Sequence, residues 1–404
     1  KITLNTGAAT TDLTGKACTP YGFHWAYDTH ALAVGTGGAL VEAGGDSWFF
    51  LTADYAFGYS LEENTTKTVD AKGGKVLGTV RFPIGATDYS AFLLQAQASG
   101  AKVIGLASAG LDTQNAIKQA AEFGITAGGQ KLAALLLEVF GDEWMKIPAM
   151  HYRWNYNEDW ILTQFGALSA PDASPEDQRE IGEKRAGPFR GALPFLGVHP
   201  ETRGAVEESY EALLAELSAH FEAHEFLFGS RPSIGDYGLI GPLYAHNYRD
   251  PKSGEMMKAT APRVARWVER MVTPPTPRGG DFLPDDAVPD TLIPLLACFA
   301  VEYLPVLEKT VSAFNAWSQD QAPGTEIPRA LGMHEFTLGG VTAERAIFTF
   351  DLWMLQRPLD FYRGLEGDAK AAADRLLARA GLGGIVALPD YPRITRKNFK
   401  TVLA

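Results

Sequence analysis

The sequence predicts two fold classes in succession: an α/β unit with a parallel sheet over residues 1–137, then an all-α unit over residues 138–404. Three observations carry this reading. In the first part, short β-type runs alternate with segments of helical length. In the second, apolar residues recur at steps of three and four. Composition changes between them. Residues 1–137 hold 8 Lys, a single Arg (Arg81), 2 of the 24 prolines and 19 of the 42 glycines, whereas residues 138–404 hold 8 Lys and 19 Arg. Lys and Arg are both solvated cations of similar helix propensity, so architecture does not explain the switch between them. A chain of 404 residues is also too long for one ordinary core.

The elements of the first part follow in order. Asp46–Thr52 (DSWFFLT) is an aromatic run of strand type. Tyr59–Gly74 reads as a polar-faced helix ended by a glycine pair. Lys75–Pro83 is a second strand. Thr87–Gly100 is a helix with Thr87 or Asp88 as its N-cap. Ala101–Ser108 is a third strand, and Leu111–Gly124 a third helix stopped by glycine. Such alternation implies βαβ units, with ligands bound at loops beyond the carboxyl ends of the strands. Gly35–Leu40 (GTGGAL) lacks the third glycine of a dinucleotide fingerprint and reads as a small-residue helix face.

In the second part, Val206, Tyr210, Leu213, Leu214, Leu217 and Phe221 form one helical face, with Gly229 placed at the end of that helix. Ala261–Val272 is a helix with Pro262 in its first turn. Val272–Asp286 is a loop, and the adjacent acids Asp285 and Asp286 are expected to face solvent. Further helices are expected at Ile293–Trp317, limited or bent by Pro294 and Pro305, at Ala343–Gly364 and at Asp368–Ala380; His334–Phe350 has room for a small hairpin. Ser233 and Asp236 form a capping box with Asp replacing the usual Glu. The nearly uncharged helix they open is expected to be buried, where its terminal N–H groups have no water to bond.

Composition excludes several function classes. The net charge of −12 argues against nucleic acid, which needs a cationic face. No run of 18 apolar residues marks a membrane span. Cys18 and Cys298 fall in different parts, too few for a disulfide framework or metal knuckle. His220 and His224 stand at i,i+4 with no third ligand in place, and His334–Glu335 is a lone pair, so no metal is expected. The chain begins at Lys1 with no leader to read, which as written implies the cytoplasm.

Two resemblances follow from these motifs. TGAATTDLTGKACTPYGFHW, LTADYAFGYSLEENT, FPIGATDYSAFLLQAQASGAKVIGLASAG and AIKQAAEFGI resemble the branched-chain-amino-acid type of periplasmic solute-binding protein, over residues 1–137. That resemblance implies part of a type I binding-protein lobe serving an ABC importer, hence the periplasm. Ala8 and Thr10 would then hold the head group of a small zwitterion, and Phe57 would pack on it. FLFGSRPSIGDYGLIGPLYAH followed by APRVARWVERM resembles the C-terminal domain of glutathione transferases, over 138–270 in detail and extending to Ala404. It implies a hydrophobic co-substrate pocket, with His151, Tyr152 and Trp154 as candidates, and a homodimer through the helical domain. In that family an N-terminal thioredoxin-like domain activates the thiol, and the residues before Glu138 do not resemble one. No catalytic residue is therefore named, and glutathione is expected only if such a domain is supplied elsewhere. With the seam read near Leu135–Glu138 and no linker there, the expectation is a chimeric chain with incomplete sites.

Overall fold

The computed structural model describes residues 2–122, 128–273, 280–397 and 400–404. They divide into two compact units, one up to Glu122 and the other from Gly128 onward.

The first unit has two small sheets. β1 (Thr3–Asn5) pairs in parallel with β2 (Gly22–His24). β3 (Ser47–Ala53), β4 (Lys75–Phe82) and β5 (Val103–Ala107) form an all-parallel sheet in the order β4-β3-β5. The period-two rule sorts the central strand: Phe49, Leu51 and Ala53 face one cluster, Trp48 and Phe50 the other. Its aromatic rings lie over glycines. Gly78 pairs with Phe49 and Gly105 with Phe50, and a Cβ on Gly105 would come within 2.4 Å of the Phe50 ring. Helices Ala56–Ala71, Ser90–Ala98 and Gly110–Glu122 alternate with the strands. The first starts three residues earlier than expected. The second takes Tyr89 as its N-cap in place of Thr87 or Asp88; Asp88 instead accepts from the Ser90 N–H at 2.9 Å. Gly124, expected to stop the third, lies outside the described residues. The GTGGAL stretch is helical, and its Gly37 faces the Thr65 methyl group of Ala56–Ala71. A small-residue face, not a phosphate loop, is what the structure contains there.

The second unit is helical and holds the largest core. Its first helix, Gly129–Val139, is uninterruptedly apolar from Leu132 to Leu137, and nearly all its side chains are buried, Gln130 and Glu138 included. The seam expected near Leu135–Glu138 therefore falls inside a helix whose buried apolar residues belong to the core of this unit. The helix continues through a π-helical turn, Phe140–Trp144, into Lys146–Tyr156. It crosses the buried helix Ile234–Pro242 at two glycines. A Cβ on Gly141 would sit 2.5 Å from the Gly238 carbonyl carbon, and one on Gly238 would sit 2.5 Å from Glu138 Cα. Its amino end is capped from far away in sequence: Asp286 accepts from the N–H groups of Gly129 (2.5 Å) and Gln130 (3.0 Å). The solvent-facing reading of Asp286 is thus corrected, since positive φ at Asp285 and Asp286 (58° and 55°) turns this carboxylate onto the helix dipole.

Helix Arg203–Ala223 carries the predicted apolar face, but ends six residues before Gly229. Asp290–Ser318 is helical throughout, with a π-helical turn at Phe299–Tyr303. That turn immediately precedes the segment opened by Leu304 and Pro305; proline has no N–H to continue the regular ladder. Among the described residues this is the one helix long and apolar enough to cross a membrane. Here Leu295, Leu296, Phe299, Leu307 and Phe314 lie in the core. β6 (Ala330–Leu338) and β7 (Val341–Phe348) form an antiparallel hairpin, so the helix expected from Ala343 begins instead at Phe350 and runs to Arg363. Gly339 and Gly340 supply the positive φ the turn requires. Gly367–Arg379 is the last long helix, and β8 (Ile394–Lys397) pairs with β9 (Lys400–Leu403).

Candidate functional site

In the first unit, the candidate ligand groups lie around the amino end of helix Ala56–Ala71, which follows the carboxyl end of β3. Phe57 is in the first turn of that helix, half-buried, its ring centroid 5.9 Å from that of Tyr55. The loop carrying Ala8 and Thr10 is tied to the same helix by a hydroxyl cluster that sequence reasoning missed. Ser60 Oγ lies 3.0 Å from Thr11 Oγ1 and 2.7 Å from Thr29 Oγ1, and Asn64 Nδ2 donates to both threonine hydroxyls. Ser60 and Asn64 stand at i,i+4 on one helix face, which is the signal that was available. The structure thus brings the loop and the Phe57 helix together at one end of the sheet, where α/β proteins bind small ligands.

Two donors of that loop are engaged by side chains of the same unit. The Ala8 N–H donates to Asn5 Oδ1 at 3.1 Å, and the Thr11 N–H donates to Ser60 Oγ at 3.3 Å. Thr10 Oγ1 accepts from the Asp12 N–H at 3.3 Å and caps the short helical turn Thr11–Leu13. The Ala8 carbonyl receives His24 Nε2 at 2.7 Å.

In the second unit, His151, Tyr152 and Trp154 are 0, 2 and 5 % exposed. His151 Nε2 donates to Glu207 Oε1 (2.8 Å), and Asn155 Nδ2 donates to His151 Nδ1 (2.9 Å). Burial lowers the His151 pKa, opposed by the Glu207 carboxylate. Burial pushes Glu207 up, but hydrogen bonds from Tyr156 and His151 outweigh it and hold the carboxyl low. The Tyr152 hydroxyl reaches Met256 Sδ at 3.8 Å, and burial raises its pKa far above the ordinary phenol value. His151 and Tyr152 are thus buried with internal partners, while the buried Trp154 packs near Phe165 and its Nε1–H has no hydrogen-bond partner among the described residues.

The capping box is complete. Ser233 Oγ accepts from the Asp236 N–H at 3.4 Å, and Asp236 Oδ2 accepts from the Ser233 N–H at 2.8 Å. The same carboxylate accepts from the Ser233 hydroxyl (2.8 Å), the Leu227 N–H (3.1 Å) and Trp267 Nε1 (3.0 Å). Asp236 is fully buried, and that burial outweighs its donors, so its pKa is raised to about 6.

The remaining sequence candidates take structural positions. His220 Nδ1 lies 2.8 Å from Thr291 Oγ1 and Nε2 lies 3.2 Å from the Phe226 carbonyl, while His224 stacks on its ring. His334 lies in β6. Among the described residues, no group of three or more His, Cys, Asp or Glu side chains is placed to hold a metal ion. Cys18 and Cys298 are both free thiols.

Residues 1–149 match the family described as periplasmic binding protein, and residues 184–270 match the glutathione S-transferase C-terminal domain. The chain carries two family signatures. Its fold class is accordingly a periplasmic-binding-protein-like region with parallel sheets, followed by a helical domain of the glutathione-transferase C-terminal type. Among solved structures, the chain is similar to a periplasmic binding protein from Burkholderia mallei. The identity is 41 % over 51 % of this chain and 54 % of that one, with a TM-score of 0.32. It is also similar to a branched-chain amino acid ABC transporter periplasmic ligand-binding protein from Burkholderia xenovorans, with 24 % identity, 50 and 54 % coverage and a TM-score of 0.30. The chain spans about half the length of each of these two proteins. No curated protein matches it.

Proposed function

We propose that the chain is a chimera of a solute-binding-type lobe and a glutathione-transferase-type helical domain, and that neither part holds an open, complete site as folded. The observation that supports this most directly is the internal engagement of the candidate groups. The Ala8 and Thr11 N–H groups are directed at Asn5 and Ser60, and His151, Tyr152 and Trp154 are buried. A zwitterionic solute at Ala8, Thr10 and Phe57 has to compete with those internal hydrogen bonds, so its binding is weak. In the helical unit thiol transfer requires a separate domain that activates glutathione. Isothermal titration with leucine is the test of the first part, and conjugation of glutathione to a chlorinated aromatic substrate the test of the second. Affinities no tighter than millimolar and a conjugation rate equal to buffer are expected. Micromolar leucine binding, or conjugation above the buffer rate, overturns the proposal.

A further inference from the structure

A groove of about 280 Å³ runs between helix Arg203–Ala223 and the helix Asp290–Ser318. Its floor is apolar and built from small or short side chains: Ala212, Leu213, Pro294, Leu295 and Ala297. Two carboxylates, Glu216 and Glu302, also line it. Burial, helped by Glu302 and then Glu216, pushes the half-buried Cys298 thiol in the same groove well above its ordinary pKa. Both acids thus line the groove that holds this thiol.

Among the described residues, no Lys or Arg pairs with them. Glu302 accepts from Trp144 Nε1 at 2.9 Å and from the Ser209 hydroxyl at 2.8 Å, which orients the carboxylate without neutralising it. Among the described residues, neither Glu216 nor Glu302 forms an ion pair with Lys or Arg, although other carboxylates, such as Glu143, Asp250 and Glu138, do. Half-buried like charges against apolar walls are unfavourable unless a counter-charge joins them. Val301, 74 % exposed at the rim, adds apolar surface where a ligand would enter.

We propose that this groove binds a primary alkylammonium ion, its chain laid along the alanine and leucine floor and its ammonium group between Glu216 and Glu302. The ammonium supplies up to three N–H donors and the missing positive charge; the chain removes apolar surface from water. The site is independent of the solute-binding and transferase readings above.

The test uses the full chain and titration calorimetry with n-hexylammonium, with n-hexanol as the neutral analogue and n-hexyl sulfate as the anionic one. Hexylammonium is expected to bind at least roughly tenfold more tightly than hexanol, and hexyl sulfate more weakly still. Glu216→Gln removes one charge from a side chain that makes no hydrogen bond among the described residues, and is expected to weaken hexylammonium roughly three- to tenfold while leaving hexanol unchanged. Ala297→Trp fills the floor and is expected to abolish binding of both. Circular dichroism melting confirms that each variant is folded, and Glu180→Gln on a distant helix serves as the control. Absence of hexylammonium binding, equal affinity for hexanol, or an affinity unmoved by both groove variants overturns the proposal.

Discussion

Replacing Asp236 by alanine is the sharpest perturbation this molecule offers. The carboxylate is fully buried and accepts from Ser233 N–H, Ser233 O–H, Leu227 N–H and Trp267 Nε1. Alanine leaves three N–H donors with nothing to bond, since only the hydroxyl is free to turn elsewhere. An orphaned buried donor costs roughly 1–3 kcal/mol, so the expected loss for three is about 3–9 kcal/mol at pH 5. The pH dependence has a definite sign. Asp236 has a folded pKa of about 6 against 3.8 for the unconstrained group. Its proton-linked contribution is therefore complete below about pH 4 and is lost as pH rises through 6. Between pH 5 and pH 7 the folded carboxyl releases its proton while the unfolded one is already ionised. The gap between wild type and Asp236→Ala should narrow by about 1 kcal/mol over that interval. Urea unfolding followed by tryptophan fluorescence measures this, because six of the eight tryptophans lie in the helical unit. A loss below about 1 kcal/mol, or a gap that widens from pH 5 to pH 7, would refute the reasoning.

Four further outcomes are expected. Ser233→Ala removes one cap acceptor but leaves the carboxylate in place, so urea unfolding should show a loss of about 1 kcal/mol. Gly238→Ala forces a Cβ to within 2.5 Å of Glu138 Cα and should cost about 3 kcal/mol or more, read as a lowered melting temperature of the helical unit. His220 is held neutral by burial, with its pKa near 4, so it favours the unfolded chain as pH falls from 6.5 towards 4. The stability difference between wild type and His220→Gln should shift against wild type across that window in acid titrations. Ser60→Ala removes the hub joining Thr11 and Thr29 and should lower the stability of the first unit by about 1–2 kcal/mol, seen as faster amide exchange in residues 8–13.

How much of this was legible depended on the distance over which each signal acts. The sheet strands were readable because aromatic and β-branched runs are punctuated by glycine close by, as at Gly73–Gly74 and Gly100. The Ser233–Asp236 cap was readable because its partners lie three residues apart. The run Gln130–Trp144 contains no local punctuation. Its helix begins after Gly128 and is capped by Asp286, and no short-range rule connects residues that far apart. Ala343–Phe348 falls both in the expected hairpin region His334–Phe350 and in the expected helix from Ala343, because its apolar residues suit either period in so short a window. Pairing with Ala330–Leu338 decided it as strand. The candidate site residues were placed by resemblance, which locates a position along the chain without saying whether its N–H groups face a ligand or an internal acceptor. For Ala8 the acceptor is Asn5, three residues back, and that Asx contact was within reach of sequence reasoning.

The distant cap on Gly129 sets an order of events during synthesis. All three strands of the larger sheet emerge within residues 47–107, so that part of the polypeptide has its pairing partners as soon as it leaves the ribosome. The apolar helix that follows emerges with neither its carboxylate nor its crossing partner Ile234–Pro242, both of which are translated later. During that interval an eleven-residue segment rich in leucine stands uncovered. It is the stretch a chaperone would be expected to hold, and the one where premature termination upstream of residue 286 would turn a folding chain into an aggregating one.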